Sequence, residues 1–248
     1  MALAQAPIPF VDDDRLLTTV VVVAFFLATC ALASAIWSPR RVALAAGAVV
    51  AATLVLEWVG HTTGWPFGDY DYTGALVPQV AGVPVIVPLA WFAMAVPARE
   101  VAARLTGSPW VRVVLGAVAL TAWDVMLDPQ MVDAGYWDWA ADGPWRGIPL
   151  SNYAGWLLAG VAVMALLDRI LPLPGRSVDL LALYAWWGLS EALAFVVFFG
   201  DPLVGLVGGA AMLGPAALAW RRSRSGLEVA QETSIGSEHG AARGTGPG

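Results

Sequence analysis

The sequence predicts an all-α integral membrane protein: a bundle of about seven transmembrane helices, joined on one side by folded loops rich in Gly, Pro and aromatic residues. Three observations predict it. Of 248 residues 58% are hydrophobic and 13% charged, with mean hydropathy +0.69, too apolar for a soluble domain. The apolar residues fall in blocks near 16–37, 42–60, 83–98, 111–128, 150–171, 178–199 and 202–220, most of them near the ~20 residues a helix needs to cross a bilayer. Basic residues gather on alternate connections, as cytoplasmic loops require.

Taken in order, residues 1–15 form an irregular start with Pro7, Pro9 and Asp12 to Asp14. They lack the basic leader of a signal peptide and are kept with the mature chain. The third block is short and carries Pro84, Pro88 and Pro97, so it is expected to kink or to begin inside the preceding loop. The span from Gly205 to Gly214 is Gly-rich and suits close helix packing. From Arg221 the chain turns polar, which divides it into a membrane domain, 1–220, and a tail, 221–248, expected to be disordered. No internal repeat is visible, which disfavours an inverted-repeat transporter.

Orientation follows from arginine, since all 13 basic residues are Arg. Arg40 and Arg41, then Arg99, Arg104 and Arg112, then Arg169 and Arg176, then Arg221, Arg222 and Arg224 mark one side. The other carries Asp12 to Asp14, Asp69, Asp71, Asp133, Asp138, Asp142 and Asp201, with only Arg15 and Arg146. A multi-pass protein of the cell membrane is expected, with its N-terminus outside and its C-terminus cytoplasmic.

The composition also excludes. Without lysine no retinal Schiff base can form. Two histidines, His61 and His239, cannot build a multi-histidine iron site. Cys30 is the single cysteine, so no disulfide forms within the chain. No basic patch fits nucleic acid.

Threading the spans puts Glu57, Asp124 and Asp128 in the outer parts of spans two and four, and Glu191 in the middle-to-outer part of span six. A carboxylate inside a span is costly and marks function by default. Asp124 and Asp128 are i, i+4 and share a helix face. Interfacial anchoring competes as an explanation for Glu57 and for Asp128, which precedes Pro129; Asp124 and Glu191 lie deeper. Arg146 is expected to pair with one of these acids, Asp168 with its neighbour Arg169, and His61 to be a hydrogen-bonded loop residue. Trp58, Trp123 and Trp187 lie beside the acids, and Trp65, Trp137, Trp139 and Trp145 in the outer loops. An aromatic belt accounts for about half of the 13 tryptophans. Paired with acids, the rest form walls that attract a cation.

The motif Glu57-Trp58-x-Gly60-x-x-Thr63-Gly64-x-Pro66-Phe67-Gly68-x-Tyr70-x-Tyr72 resembles that of the CruF-type carotenoid hydratases. The likeness continues through Gly82-Val83-Pro84, Pro88-x-Ala90-Trp91, Trp123-Asp124-x-x-x-Asp128-Pro129, Gly135-x-Trp137-x-Trp139 and Gly147-Ile148-Pro149-x-Ser151-Asn152-x-x-Gly155-Trp156. It covers about residues 57–156. It implies addition of water to the terminal isopropylidene double bond of a linear carotenoid, of forty or fifty carbons, giving a tertiary alcohol without cofactor or metal. It implies a carotenoid partner entering from the lipid bilayer, in company with other enzymes of the pathway.

The residues suit that chemistry. Protonating an alkene needs a carboxylic acid that keeps its proton near neutral pH, and burial beside a second carboxyl favours one. Asp124 is assigned as the acid, Asp128 or Glu57 as the base that orients water, and Glu191 as an alternative to either. Trp58, His61, Trp65, Phe67, Tyr70, Tyr72, Trp91, Trp123, Trp137, Arg146, Asn152 and Trp187 are the expected substrate-binding set. Two other readings compete. A prenyltransferase would hold Mg-diphosphate on the D-x-x-x-D of Asp124 to Asp128, but a second Asp-rich motif is missing. A proton-coupled transporter would use the intramembrane acids but leaves the aromatic loop motif unexplained. A partner-dependent subunit of a carotenoid-modifying complex is a further alternative.

Overall fold

The computed structural model describes residues 14–173 and 176–243, with side chains as far as Ser223. Seven of its helices are long and apolar enough to cross a membrane. They are α1 (Arg15–Ser34), α2 (Pro39–Thr63), α3 (Ile86–Leu105), α4 (Pro109–Asp133), α5 (Leu150–Ile170), α6 (Val178–Val197) and α7 (Pro202–Arg243). The apolar part of α7 ends at Ser223. The expected tail, 221–248, falls almost wholly beyond the described side chains, and Asp12 and Asp13 lie outside the described residues.

Local chemistry sets the helix ends. Pro39 and Pro109 open α2 and α4 at their first position, where a missing N–H costs nothing. The Ser177 hydroxyl caps α6 by accepting the Leu180 N–H at 3.2 Å. Gly64, at φ 75°, ends α2 in the left-handed region and donates its N–H to the Gly60 carbonyl.

The most buried span is α3, and it touches each of the other six. Its sequence explains this position. It is apolar on all sides and rich in alanine (Ala93, Ala95, Ala98, Ala102 and Ala103 are all buried), so neighbours approach from every direction. The short third block is thus a full span. It begins at Ile86, just after the short extended stretch Val83–Pro84 of the preceding loop, and continues through Arg99, Glu100 and Arg104 to Leu105. Those charges are tolerated because they are paired. Asp168 lies between Arg99 and Arg112, 2.6 Å from each, and Glu100 accepts from Arg104 at 2.7 Å. The expected Asp168–Arg169 pair is therefore corrected: Asp168 turns into the bundle toward two buried guanidiniums.

At the other end the loops fold into two small antiparallel ladders, an addition to the expected all-α architecture. Strand β1 (Tyr70–Tyr72) pairs with β4 (Trp137–Trp139), with Tyr70 opposite Trp139 and Tyr72 opposite Trp137. Strand β2 (Gln79–Val80) pairs with β3 (Val83–Pro84). Both strands of the first ladder read aromatic-Asp-aromatic. Strand alternation sends the rings of both strands inward and leaves Asp71 and Asp138 exposed. The ladder therefore lays four aromatic rings over the ends of the spans.

Candidate active site

Glu57 sits on the last turns of α2, buried inside the bundle. Its Oε2 accepts from the Tyr70 hydroxyl at 2.6 Å and the Tyr72 hydroxyl at 2.8 Å, and its Oε1 from Trp91 Nε1 at 2.8 Å. Three donors on one carboxyl suit its ionised form. Burial first, then the Glu57 charge, push both phenols well above their ordinary range, so they remain donors. Gly60 makes this approach possible. A Cβ there would meet the Phe67 ring at 2.8 Å and the Tyr70 hydroxyl at 2.9 Å.

Asp124 and Asp128 lie fully buried, one turn apart on α4. The Asn152 amide, on α5, donates to both, at 2.8 Å to Asp124 Oδ2 and by a short bond to Asp128 Oδ2. Trp137 Nε1 donates to Asp128 Oδ1 at 3.1 Å. The two carboxyls face each other, and Asp124 Oδ1 has no other partner.

Glu191, on α6, is set apart from these. The Trp123 and Trp187 indoles are its nearest donors, but neither closes to a full hydrogen bond. Glu191 Oε2, Trp123 Nε1 and Trp187 Nε1 are all buried and unpartnered. An unsatisfied carboxyl in an apolar interior is costly and calls for an explanation.

A run of rings joins the two groups of acids. Trp91, held by Glu57, stacks on Trp156 at 4.0 Å and 13°. Trp156 meets Trp123 edge-on at 6.2 Å, Trp123 meets Trp187 likewise at 6.2 Å, and Trp187 stacks on Phe25 at 3.9 Å. Beside this run lies a cavity of about 390 Å³, within the usual range for a ligand pocket, lined by Trp91, Trp123, Trp137, Trp156 and Trp187 and by residues of α1, α3, α4 and α6. Glu191 is the carboxyl on its wall; Glu57, Asp124 and Asp128 stand behind the indoles. Trp186, Leu193 and Phe198 line the cavity and are also exposed, so its mouth opens along the apolar outer face of α6.

The expected residues therefore divide. Glu57, Asp124, Asp128, Glu191, Tyr70, Tyr72, Trp91, Trp123, Trp137, Asn152 and Trp187 come together. Phe67 is buried beneath them, edge-on to Tyr70 at 6.1 Å. His61 bonds the Ala81 carbonyl at 3.0 Å and lies edge-on to Tyr72. Trp58 and Trp65 face outward, 47% and 61% exposed. Arg146 is corrected: it pairs with Asp201, at 2.7 Å through its second contact, and not with an intramembrane acid. Sequence reasoning passed over Trp156, although its i+4 spacing from Asn152 puts both on one face of α5. It also passed over the α1 contribution of Thr18, Val21 and Val22, which carries no motif.

A membrane bundle that holds acids and indoles around an apolar cavity agrees with what the comparisons find. The family model for carotenoid biosynthesis proteins matches residues 16–220, and the chain belongs to that family. It is 32% identical over 164 residues to the bisanhydrobacterioruberin hydratase of Haloarcula japonica. That alignment covers 60% of this chain and 56% of that protein, so the chain spans little more than half the length of the curated relative. No solved structure matches.

Proposed function

We propose that this protein adds water to the terminal isopropylidene double bond of a linear carotenoid end, giving a tertiary alcohol through a carbocation. The observation that carries the reading is the apolar cavity walled by six tryptophans with the bare carboxyl of Glu191 in its wall. The similarity to a protein named as a hydratase supports the same reaction class.

The chemistry follows from the residues. A carotenoid end slides in from the lipid along α6, and its polyene remains in the bilayer. Glu191, as the acid, gives its proton to the less substituted alkene carbon. The positive charge gathers on the tertiary carbon, where the faces of Trp123 and Trp187 stabilise it. Water attacks that carbon, and its surplus proton restores the Glu191 carboxyl, so the step is proton-neutral and calls for neither cofactor nor metal. Glu57 and Asp128 act one layer back, fixing the indoles of Trp91 and Trp137 that shape the cavity.

A second reading keeps Asp124 as the acid. Its Oδ1 lacks a donor unless the Asp124–Asp128 pair holds a proton, and such a pair is a reservoir for one. In that case Asp128 or Glu57 receives the proton of the water. The arginine bias supports an orientation with the loop end outside the cell membrane and the C-terminal tail in the cytoplasm. Other carotenoid-pathway enzymes would supply the substrate by association in the same bilayer.

The test is expression in hosts that make either lycopene or the fifty-carbon precursor, with pigments resolved by liquid chromatography and mass spectrometry. A product heavier by one water, absent from hosts without the protein, is expected from one of these pools. No new pigment from either would overturn the reading and favour the transporter or partner-subunit readings instead.

A further inference from the structure

Hydration needs two reactants, and the mouth described above faces lipid, so it admits only one of them. Water needs a different route. At the loop end of the bundle a second cavity, about 800 Å³, is lined by polar groups that include Asp133, Arg146 and Asp201. The Arg146–Asp201 pair at its rim is solvent-exposed, with side-chain exposures of 42% and 26%, so this chamber is wet.

The two cavities share two residues, Gln130 of α4 and Phe199 just beyond α6. Phe195 lines the polar chamber and meets Phe199 edge-on at 5.2 Å and 82°. Glu191 and Phe195 are four apart on α6 and so share a face, and Phe199 follows just past the helix end. Four residues of helix rise about 6 Å, which separates Glu191 along the axis from Phe195 on the chamber wall. Gln130, with an acceptor and two donors, is the polar side chain that both cavities share.

We infer that Gln130 and Phe199 form a neck through which water, as the second substrate, passes from the polar chamber into the apolar cavity. Gln130 positions the incoming molecule by hydrogen bonding, and the Phe199 ring excludes nucleophiles larger than water. The inference rests on the hydratase reading. The oxygen arriving through the neck bonds to the tertiary carbon as the neighbouring carbon takes the carboxyl proton, and the proton it sheds returns to that carboxylate. Methanol arriving in its place would give a methyl ether by the same steps.

The experiment uses the full chain in proteoliposomes loaded with whichever carotenoid pool yields the alcohol, with methanol competing against water. Wild type is expected to give almost only the alcohol. Phe199→Ala should raise the ether-to-alcohol ratio by about tenfold or more, the discrimination a methyl-sized contact provides. Phe199→Leu, a milder truncation, should raise it less and serves if the alanine variant does not fold. Gln130→Leu should slow both additions with carotenoid retention unchanged, and Gln130→Glu, which keeps an acceptor, should recover part of the rate. An unchanged ratio in both Phe199 variants, with alcohol still forming, would overturn the neck while leaving the hydratase reading intact. No alcohol from wild type would overturn both.

Discussion

Replacing Glu191 with Gln separates the two candidate acids. The amide has almost the volume of the carboxyl, so no cavity opens in the wall, and its oxygen still faces the Trp123 and Trp187 indoles. What is lost is the acidic proton. A positioned general acid contributes about 10²- to 10⁴-fold, so turnover should fall by that factor, or ~3–5 kcal/mol at about 1.4 kcal/mol per decade. Asp124→Asn, by contrast, keeps an oxygen for the Asn152 amide, now 2.8 Å from Asp124 Oδ2, and leaves the cavity lining untouched. Its turnover should fall by less than about tenfold, below the range a lost acid produces. The assay is the rate of alcohol formation in proteoliposomes, with pigment co-purification showing that substrate is still held. If Glu191→Gln stays close to wild type while Asp124→Asn abolishes turnover, the donor is Asp124 and the assignment from the cavity wall is wrong.

Other consequences are measurable without turnover. Tyr70→Phe strips a 2.6 Å donor from the buried Glu57 carboxylate and should destabilise the detergent-solubilised protein by about 1–3 kcal/mol. In a Glu57→Gln background the same change should cost less, and equal costs in both would deny the coupling. Asp168→Asn leaves Arg99 and Arg112 buried without their shared anion, a loss of about 3–5 kcal/mol. Arg169→Ala should be near neutral in the same denaturation assay, and equal effects would return Asp168 to a simple interfacial role. The exposed Arg146–Asp201 link is pH-dependent. The hydrogen bond from Arg146 holds the Asp201 carboxyl below its usual range, so its contribution is complete above the unfolded carboxylate value of about 3.9 and is lost as pH falls through the lowered one. Melting profiles of wild type and Arg146→Ala should therefore differ above that window and converge below it; parallel profiles would show that the link contributes nothing.

How far the sequence reaches depends on the range of the interaction that decides each feature. Seven apolar helices follow from composition along the chain, because a bilayer demands long uninterrupted apolar runs with satisfied backbone. The ends of α2, α4 and α6 follow from Pro39, Gly64, Pro109 and Ser177, since capping acts within a few residues. The i, i+4 spacing of Asp124 and Asp128 places both on one face of α4 before any neighbour is known. Helix rotation and adjacency are different, because they depend on which faces pack against which. Only packing made α3 the centre, turned Asp168 away from its sequence neighbour toward Arg99 and Arg112, and took Arg146 to Asp201. The same long-range choice decided the site. Four acids at similar depth were legible in the chain, but only the tertiary arrangement of α3, α4 and α6 set Glu57 and Asp128 behind indoles and left Glu191 on the cavity wall. Depth is a property of one helix, whereas access to a cavity belongs to several helices together.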